Sequence, residues 1–476
     1  MKTIRFLLVA ILSVTFGFCS GSVDKTVFLG YWGNTINDAT GTQKFVAYFY
    51  DNNKNIQCEF HSYQNGMKFG SEQAADICFE GKSISMVANE SADVKYEGEV
   101  DIPQNVIRGK LIYHDGSEME FNLTKYSRDK IQKEFPGLLH LKETEYSYSK
   151  PENLHDGLPA SSLKEMKINE NLLTKMVNEI TNGEYAKVNS ILILRKGKLV
   201  FEKYFDGFYT TDLHVLMSAT KSISSILIGI AVDKGLIKSI NQKLLNFYPE
   251  YRNKVDHTWN DVTLQHILTM TSGLDISGSN YENYWTRKDD IIKSTFEQKF
   301  KSLPGEKFAY LSPPVDLLAG VLIQATGESV QKFAEKNLFK PLRITSYKWQ
   351  NFKKNNYPLM DGSLCLKPRD MAKIGQMILD EGKWNNKQIV SRKWIEESTS
   401  PKINVDKIFD YSYLWWHGKS QSKPGLNAVI ATGLGGQHII IVPGLSLVIV
   451  TTGSNFDKSP GFLLRMIDEY IIKSVN

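Results

Sequence analysis

The chain is poor in cysteine, with four in 476 residues: Cys19, Cys58, Cys78 and Cys365. No cysteine–histidine cluster has zinc-ligand spacing, which argues against a metal site, and nothing else in the sequence asks for a cofactor. Blocks of like charge are also missing. The net charge of +5 comes from 57 basic and 52 acidic residues scattered along the chain, so nucleic acid and membrane surfaces are not indicated as partners. Long apolar runs are absent too. The run Phe6–Phe18 is too short to span a bilayer as a stable helix, and no later segment is a transmembrane candidate.

What is present begins with that short run. Lys2 and Arg5 precede it, and Met1–Ser22 reads as an export signal. Cys19 offers a second reading, a lipidated cysteine that tethers the product to a membrane. Phe18 is bulky for such a site, and cleavage without lipidation is favoured. The product is then periplasmic, secreted or tethered. Loss of Cys19 leaves an odd number of cysteines, and spacing does not decide whether Cys58 and Cys78 form a bridge.

The length suggests two domains, and 42% hydrophobic with 23% charged residues marks a globular chain. Residues 23–127 read as all-β. Short aromatic and β-branched runs recur at Thr26–Trp32, Lys44–Tyr50, Ile56–Tyr63, Ser83–Val87, Val94–Val100, Val106–Tyr113 and Glu118–Thr124. Turn signals such as Asn65-Gly66 and Asp115-Gly116 separate them. This punctuation predicts a small sandwich or barrel, a structural or docking module without a catalytic constellation. Residues 128–168 read as a polar connector marked by Pro136, Pro151 and Pro159. From 169 to 476 the pattern is α+β. Two strands at Val188–Leu194 and Lys198–Tyr204 come early. Three come late, at Ala428–Thr432, Gln437–Val442 and Leu445–Thr452, with helices between. One antiparallel sheet fed from both ends of the domain brings residues near 218 and near 434 together.

Position 218 matters because of Ser218-Ala219-Thr220-Lys221. A serine three residues before a lysine places a hydroxyl and an amine on one helical face. A desolvated lysine can act as a base, and a serine beside it becomes a nucleophile toward carbonyl carbon. The pattern alone is weak. It also occurs at Ser22, Ser127, Ser147, Ser161, Ser329 and Ser420, where polar or mid-helix contexts read as solvated surface. Ser218 differs because Ile223, Ile226, Leu227, Ile230 and Ala231 follow at the spacing of a core-facing helix.

Further segments join it: Leu268-Thr269-Met270-Thr271-Ser272-Gly273-Leu274, Pro304-Gly305-Glu306-Lys307-Phe308-Ala309-Tyr310, Arg369-Asp370-Met371-Ala372-Lys373 and Gly433-Leu434-Gly435-Gly436-Gln437. With these, the region from Asn169 to Asn476 resembles the penicillin-recognising serine hydrolases. The branch is that of class C β-lactamases, related esterases, D-aminopeptidases and 6-aminohexanoate-dimer hydrolase. The resemblance implies that Ser218 is the nucleophile and Lys221 the general base. Tyr310 opens the second motif, hydrogen-bonds both and helps protonate the leaving group. The backbone N–H groups of Ser218 and Leu434 form the oxyanion hole, with Gly435 the alternative second donor. The family's Tyr-x-Asn reads Tyr310-Leu311-Ser312 here, and its Lys-Thr-Gly reads Gly433-Leu434-Gly435. The asparagine and lysine that hold a β-lactam's amide and carboxylate are replaced, which argues against an efficient β-lactamase.

Ser312, Gly433 and Gly435 are then candidate substrate contacts. So is His438, which alternates with Ile439 on a strand. Tyr284 stands with Tyr281 and Trp285 in a segment expected to border the cleft. His266 is expected to make a structural hydrogen bond, and Tyr413, Trp415 and Trp416 to pack beneath the last strands. The leading expectation is an exported hydrolase of small ester, amide or peptide-like substrates. The alternatives are a penicillin-binding D-peptidase or weak β-lactamase, and a non-catalytic binding or sensor protein.

Overall fold

The computed structural model describes residues 25–476 except 39–40, 53–54, 65–66, 90–93, 136–137, 139–145, 186, 276–289, 352–356, 457 and 460. The chain divides into two compact units. One takes the residues before 145 together with Phe205–Asp212, and the other takes Glu145–Tyr204 and Leu213–Asn476.

The first unit is a single antiparallel sheet. Its strands are β1 Gly30–Asp38, β2 Gly41–Asn52, β3 Asn55–Gln64, β4 Met67–Gln73, β5 Ala75–Glu80, β6 Ser83–Asn89, β7 Val94–Asp101, β8 Val106–Ile112, β9 Glu118–Glu120 and β10 Leu123–Lys125. The order is β4-β3-β2-β1-β10-β8-β7-β6-β5, with β9 beside β8. Alternating side chains, among them Trp32, Phe49, Ile84, Tyr96, Ile107 and Leu123, fill one core. The two ends of this order, β4 and β5, are joined through Ala74 alone, so the sheet nearly closes on itself. Two strands, β4 and β5, escape the sequence pattern: Met67–Gln73 is too polar to read as a strand, and Ala75–Glu80 is short and carries Asp76 and Glu80. Cys58 is a free, buried thiol whose pKa is pushed well up by burial, so no bridge joins it to Cys78.

The stretch read as a connector divides between the units. Helix α1, Arg128–Glu134, is capped by the Ser127 hydroxyl. Its Ile131, with Phe135 one turn on, packs against Val46, Tyr63 and Leu138 of the first unit. Further on, the Tyr148 hydroxyl donates to the Val200 carbonyl at 3.0 Å and the Ser161 N–H to Leu199 at 2.9 Å, both in the second unit. Apolar residues one helical turn apart, then extended backbone beside a strand, give each half a partner that polarity alone conceals.

The second unit carries β11 Val188–Arg195, β12 Lys198–Tyr204, β13 His214–Val215, β14 Lys348–Trp349, β15 Leu364–Leu366, β16 Lys383–Trp384 and β17 Lys387–Gln388. It continues with β18 Ile403–Asn404, β19 Phe409–Tyr411, β20 Trp416–Lys419, β21 Asn427–Gly433, β22 Gln437–Val442 and β23 Leu447–Gly453. Its main sheet runs β12-β11-β23-β22-β21-β20-β19-β18, so the two early strands do pair onto the three late ones, and three short strands extend the far side. The helices are α2 Glu170–Thr181, α3 Thr220–Asp233, α4 Leu264–Leu268, α5 Ile291–Phe296, α6 Pro313–Thr326, α7 Val330–Ala334, α8 Pro368–Leu379, α9 Arg392–Ser398 and α10 Gly461–Met466. Helix α3 is buried on every side from Thr220 to Ala231, and α8 lies against the sheet with Gly375 facing Ile439 and Val448. The architecture is thus a nearly closed all-β unit followed by an α+β unit of antiparallel sheet and helices. No helix among the described residues is long and apolar enough to cross a membrane.

Candidate active site

The Ser218 turn sits between two anchors. The Leu216 N–H donates to the Leu364 carbonyl at 2.8 Å, and helix α3 begins at Thr220. Between them Met217 takes φ +47°, a left-handed conformation that costs a residue with a side chain about 1 kcal/mol or more. Edge strand β21 closes on this turn. A Cβ at Gly433 would stand 2.2 Å from the Leu216 carbonyl oxygen and 3.1 Å from the Ser218 nitrogen. Only glycine permits that approach, which brings the Ser218 N–H and the end of β21 into one corner. Leu434 follows with its side chain 42% exposed, and Gly435 lies in the same turn at φ +88°.

Lys221, one helical turn beyond Ser218, is 1% exposed. Its Nζ donates to Ser218 Oγ at 2.9 Å, to Ser312 Oγ at 3.0 Å and to the Asp361 main-chain carbonyl at 2.9 Å. Three N–H groups thus meet three acceptors. The Asp361 carboxylate Oδ2 stands 3.9 Å away. Ser312 precedes α6, where a serine hydroxyl ordinarily caps the helix. Here it makes no capping bond and turns to Lys221, while Pro313 starts the helix.

Tyr310 is 37% exposed, and its ring centroid lies 5.3 Å from the Lys221 ammonium. The lysine therefore meets the face of this ring, and its hydroxyl partner besides Ser218 is Ser312, where the sequence reading expected the Tyr310 hydroxyl. The segment carrying Tyr310 and Ser312 hangs from Met270. The Ala309 N–H donates to the Met270 carbonyl at 2.8 Å and the Leu311 N–H to its sulfur at 3.4 Å. Gly273, at φ +83°, lets the same loop press against the Ser302 carbonyl, 2.4 Å from where a Cβ would stand. The Leu268–Leu274 motif is thus a support for the Tyr310 segment.

Trp416 is half-buried beside Tyr310 at 5.4 Å between centroids, with Tyr411 at 6.1 Å. Of the three residues expected beneath the strands, Tyr413 and Trp415 are buried and Trp416 borders the Tyr310 ring instead. His438 also departs from expectation. It is 0% exposed, and burial lowers its pKa to about 3. Ile439 faces α8, so strand alternation turns His438 to the opposite face of the sheet, away from the Gly433 side on which Ala431 and Ile439 share one core. A sealed ring on that face does not reach substrate. Tyr284, with Tyr281 and Trp285, lies outside the described residues. His266 forms a capping box with Thr263 at the start of α4, and His214 is buried opposite Leu366. Sequence reasoning missed Asp361 and Asp316. Their only signal is an acidic residue within apolar neighbours, as in Leu359-Met360-Asp361-Gly362 and Pro314-Val315-Asp316-Leu317. Among the described residues no cluster of histidine, cysteine and carboxylate could hold a metal ion.

Residues 187–465 match the family model described as Beta-lactamase, which is more than half the chain. The chain belongs to this family of serine hydrolases. Among its relatives is the 6-aminohexanoate-dimer hydrolase of Paenarthrobacter ureafaciens. It is 24% identical over 309 residues, an alignment covering 60% of this chain and 76% of the relative. A solved Bacillus anthracis structure, provisionally named a 6-aminohexanoate-dimer hydrolase, superposes with a TM-score of 0.56 at 18% identity. It covers 74% of this chain and 98% of that one. A Bacteroides dorei structure, provisionally named a β-lactamase, gives a TM-score of 0.51 at 15% identity over 63% of this chain and 98% of that one. At these identities the structures share the fold.

Proposed function

We propose that this protein is an exported serine hydrolase that cleaves an ester or amide bond of a small substrate through an acyl-enzyme on Ser218. The observation that carries the reading is the 2.9 Å contact from the sealed Lys221 Nζ to Ser218 Oγ at the head of a buried helix. Ser218 Oγ attacks the carbonyl carbon and its proton passes to the Lys221 amine. The oxygen of the tetrahedral intermediate is held by N–H groups at the Ser218 and Leu434 corner. Collapse breaks the bond to the leaving group, which takes the proton from Lys221, and water then releases the acid. The replaced second-motif asparagine and third-motif lysine favour a neutral ester or amide over a β-lactam. The basic start and apolar run within Met1–Ser22 support export.

The test is hydrolysis of p-nitrophenyl butyrate by the mature protein and by Ser218→Ala. Activity is expected in the first and none above background in a folded variant. Equal rates in both sink the assignment. Covalent capture of penicillin with slow release would move the protein to the D-peptidase side of the family.

A further inference from the structure

Asp361 lies between helix α6 and the Ser218 turn, and its backbone already explains why the segment sits there. Its carbonyl accepts from Lys221 at 2.9 Å, its N–H donates to the buried Asp316 Oδ1 at 3.1 Å, and the preceding Met360 carbonyl accepts from the Ser224 hydroxyl at 2.7 Å. None of these bonds uses the Asp361 side chain. That side chain is nonetheless a carboxylate sealed from solvent. Its Oδ1 has no hydrogen-bond partner among the described residues, and its Oδ2 stands 3.9 Å from Lys221 Nζ. An uncompensated buried carboxylate is strongly destabilising, so its cation must offset it. The groups that face Lys221 are Ser218 and Ala219's turn below, Ser312 and the Tyr310 ring from the α6 side, and Asp361, with Asp316 behind it.

We infer that the Asp361 carboxylate is a positioning residue of this site, a buried counter-charge that holds Lys221 Nζ against Ser218 Oγ and stabilises the ammonium that forms there when Ser218 attacks. The inference rests on the Ser218–Lys221 reading above. Before attack, Lys221 must be neutral to accept the Ser218 proton. When it does so, the new ammonium forms 3.9 Å from a carboxylate that is already in place. The counter-charge therefore stabilises the ion pair that attack creates.

Asp361→Asn removes the charge and keeps the shape and all three backbone contacts. The measurement is kcat and KM separately on p-nitrophenyl butyrate, with Ser218→Ala as the control for the reading itself. The kcat is expected to fall about tenfold or more as the ion pair is lost, with KM within about twofold because the carboxylate does not touch substrate. An unchanged kcat, or a raised KM with kcat kept, overturns the inference while leaving the acyl-serine reading intact.

A second measurement needs no turnover. Lys221→Met is compared in the parent and in the Asp361→Asn background by thermal unfolding at pH 7. The drop in Tm is expected to be several degrees larger in the parent, where the carboxylate is stranded. Equal drops overturn the inference even if Ser218→Ala has shown the hydrolase reading to be wrong. Should Asp361→Asn fail to fold, Asp361→Ser in the same two measurements carries the same expectations.

Discussion

Ser312 stands where relatives of the resembled branch carry a substrate-binding asparagine, yet its hydroxyl is spent on Lys221 at 3.0 Å. The two roles separate kinetically. If Ser312 holds the base, Ser312→Ala lowers kcat about tenfold or more and leaves KM within about twofold, because a hydrogen bond to a charged group is lost away from substrate. A raised KM with unchanged kcat would return Ser312 to the substrate. Gly433 invites a second test. Alanine there places a Cβ 2.2 Å from the Leu216 carbonyl oxygen, so β21 must retreat from the Ser218 turn. Gly433→Ala is expected to lose about 100-fold in kcat/KM, as when an oxyanion donor is displaced, with an unchanged far-UV circular dichroism spectrum. Full activity would place the oxyanion donors elsewhere. Asp361 marks the limit of such residue reading from sequence: its neighbours in space come from α3 and α6, so nothing local announces it.

At the scale of elements, the Ser-x-x-Lys pattern shows why one motif is ambiguous. In the Ser127 and Ser329 copies the hydroxyl accepts the lysine's backbone N–H, at 3.2 and 3.3 Å, because three residues is also the spacing of a helix cap. At Ser218 the hydroxyl meets the lysine's side chain instead. Not all the other copies are surface: Ser161 is buried and bonded to Glu165. Elements with long apolar runs, such as α3 and the five long strands of the second sheet, or with strong apolar periodicity, such as α8, were legible. Polar β4 and the divided connector were not, since their partners are distant in sequence. The Arg369–Lys373 segment belongs to this scale. Arg369 on α8 grips Glu202 of β12 with two bonds of 2.8 and 2.7 Å and Asp156 with a third of 3.2 Å, all with little solvent access. Arg369→Ala strands the buried Glu202 carboxylate, while Asp156 keeps Lys373 at 4.0 Å, and is expected to cost about 3–5 kcal/mol in urea unfolding. In Arg369→Met with Glu202→Gln, much of that loss is expected to return. A loss below about 1 kcal/mol would show the network to be dispensable.

For the molecule as a whole, buried imidazoles set the response to acid. His417 and His438 in the second unit have pKa values lowered to about 4 and about 3, chiefly by burial, and His61 in the first unit is lowered well below its usual value for the same reason. In the unfolded chain each titrates near 6.5. Above that value both states are neutral, and the stabilisation is complete. Below it the unfolded chain binds a proton that the folded chain refuses, so stability falls with pH until the folded value is reached. Each such histidine contributes a slope of about 1.4 kcal/mol per pH unit. His438 isolates the effect, because neither ring nitrogen has a hydrogen-bond partner among the described residues. A leucine there forfeits no bond and removes an unsatisfied polar group from the sheet's interior. His438→Leu is therefore expected to match or exceed the parent at pH 7, and to gain about 3 kcal/mol more relative to it at pH 4.5, two units below the unfolded value. Urea unfolding of both proteins across pH 7 to 4 reads this directly. Parallel stability curves would mean that His438 takes up its proton in the folded state, and that the interior of this sheet is open to water at β22.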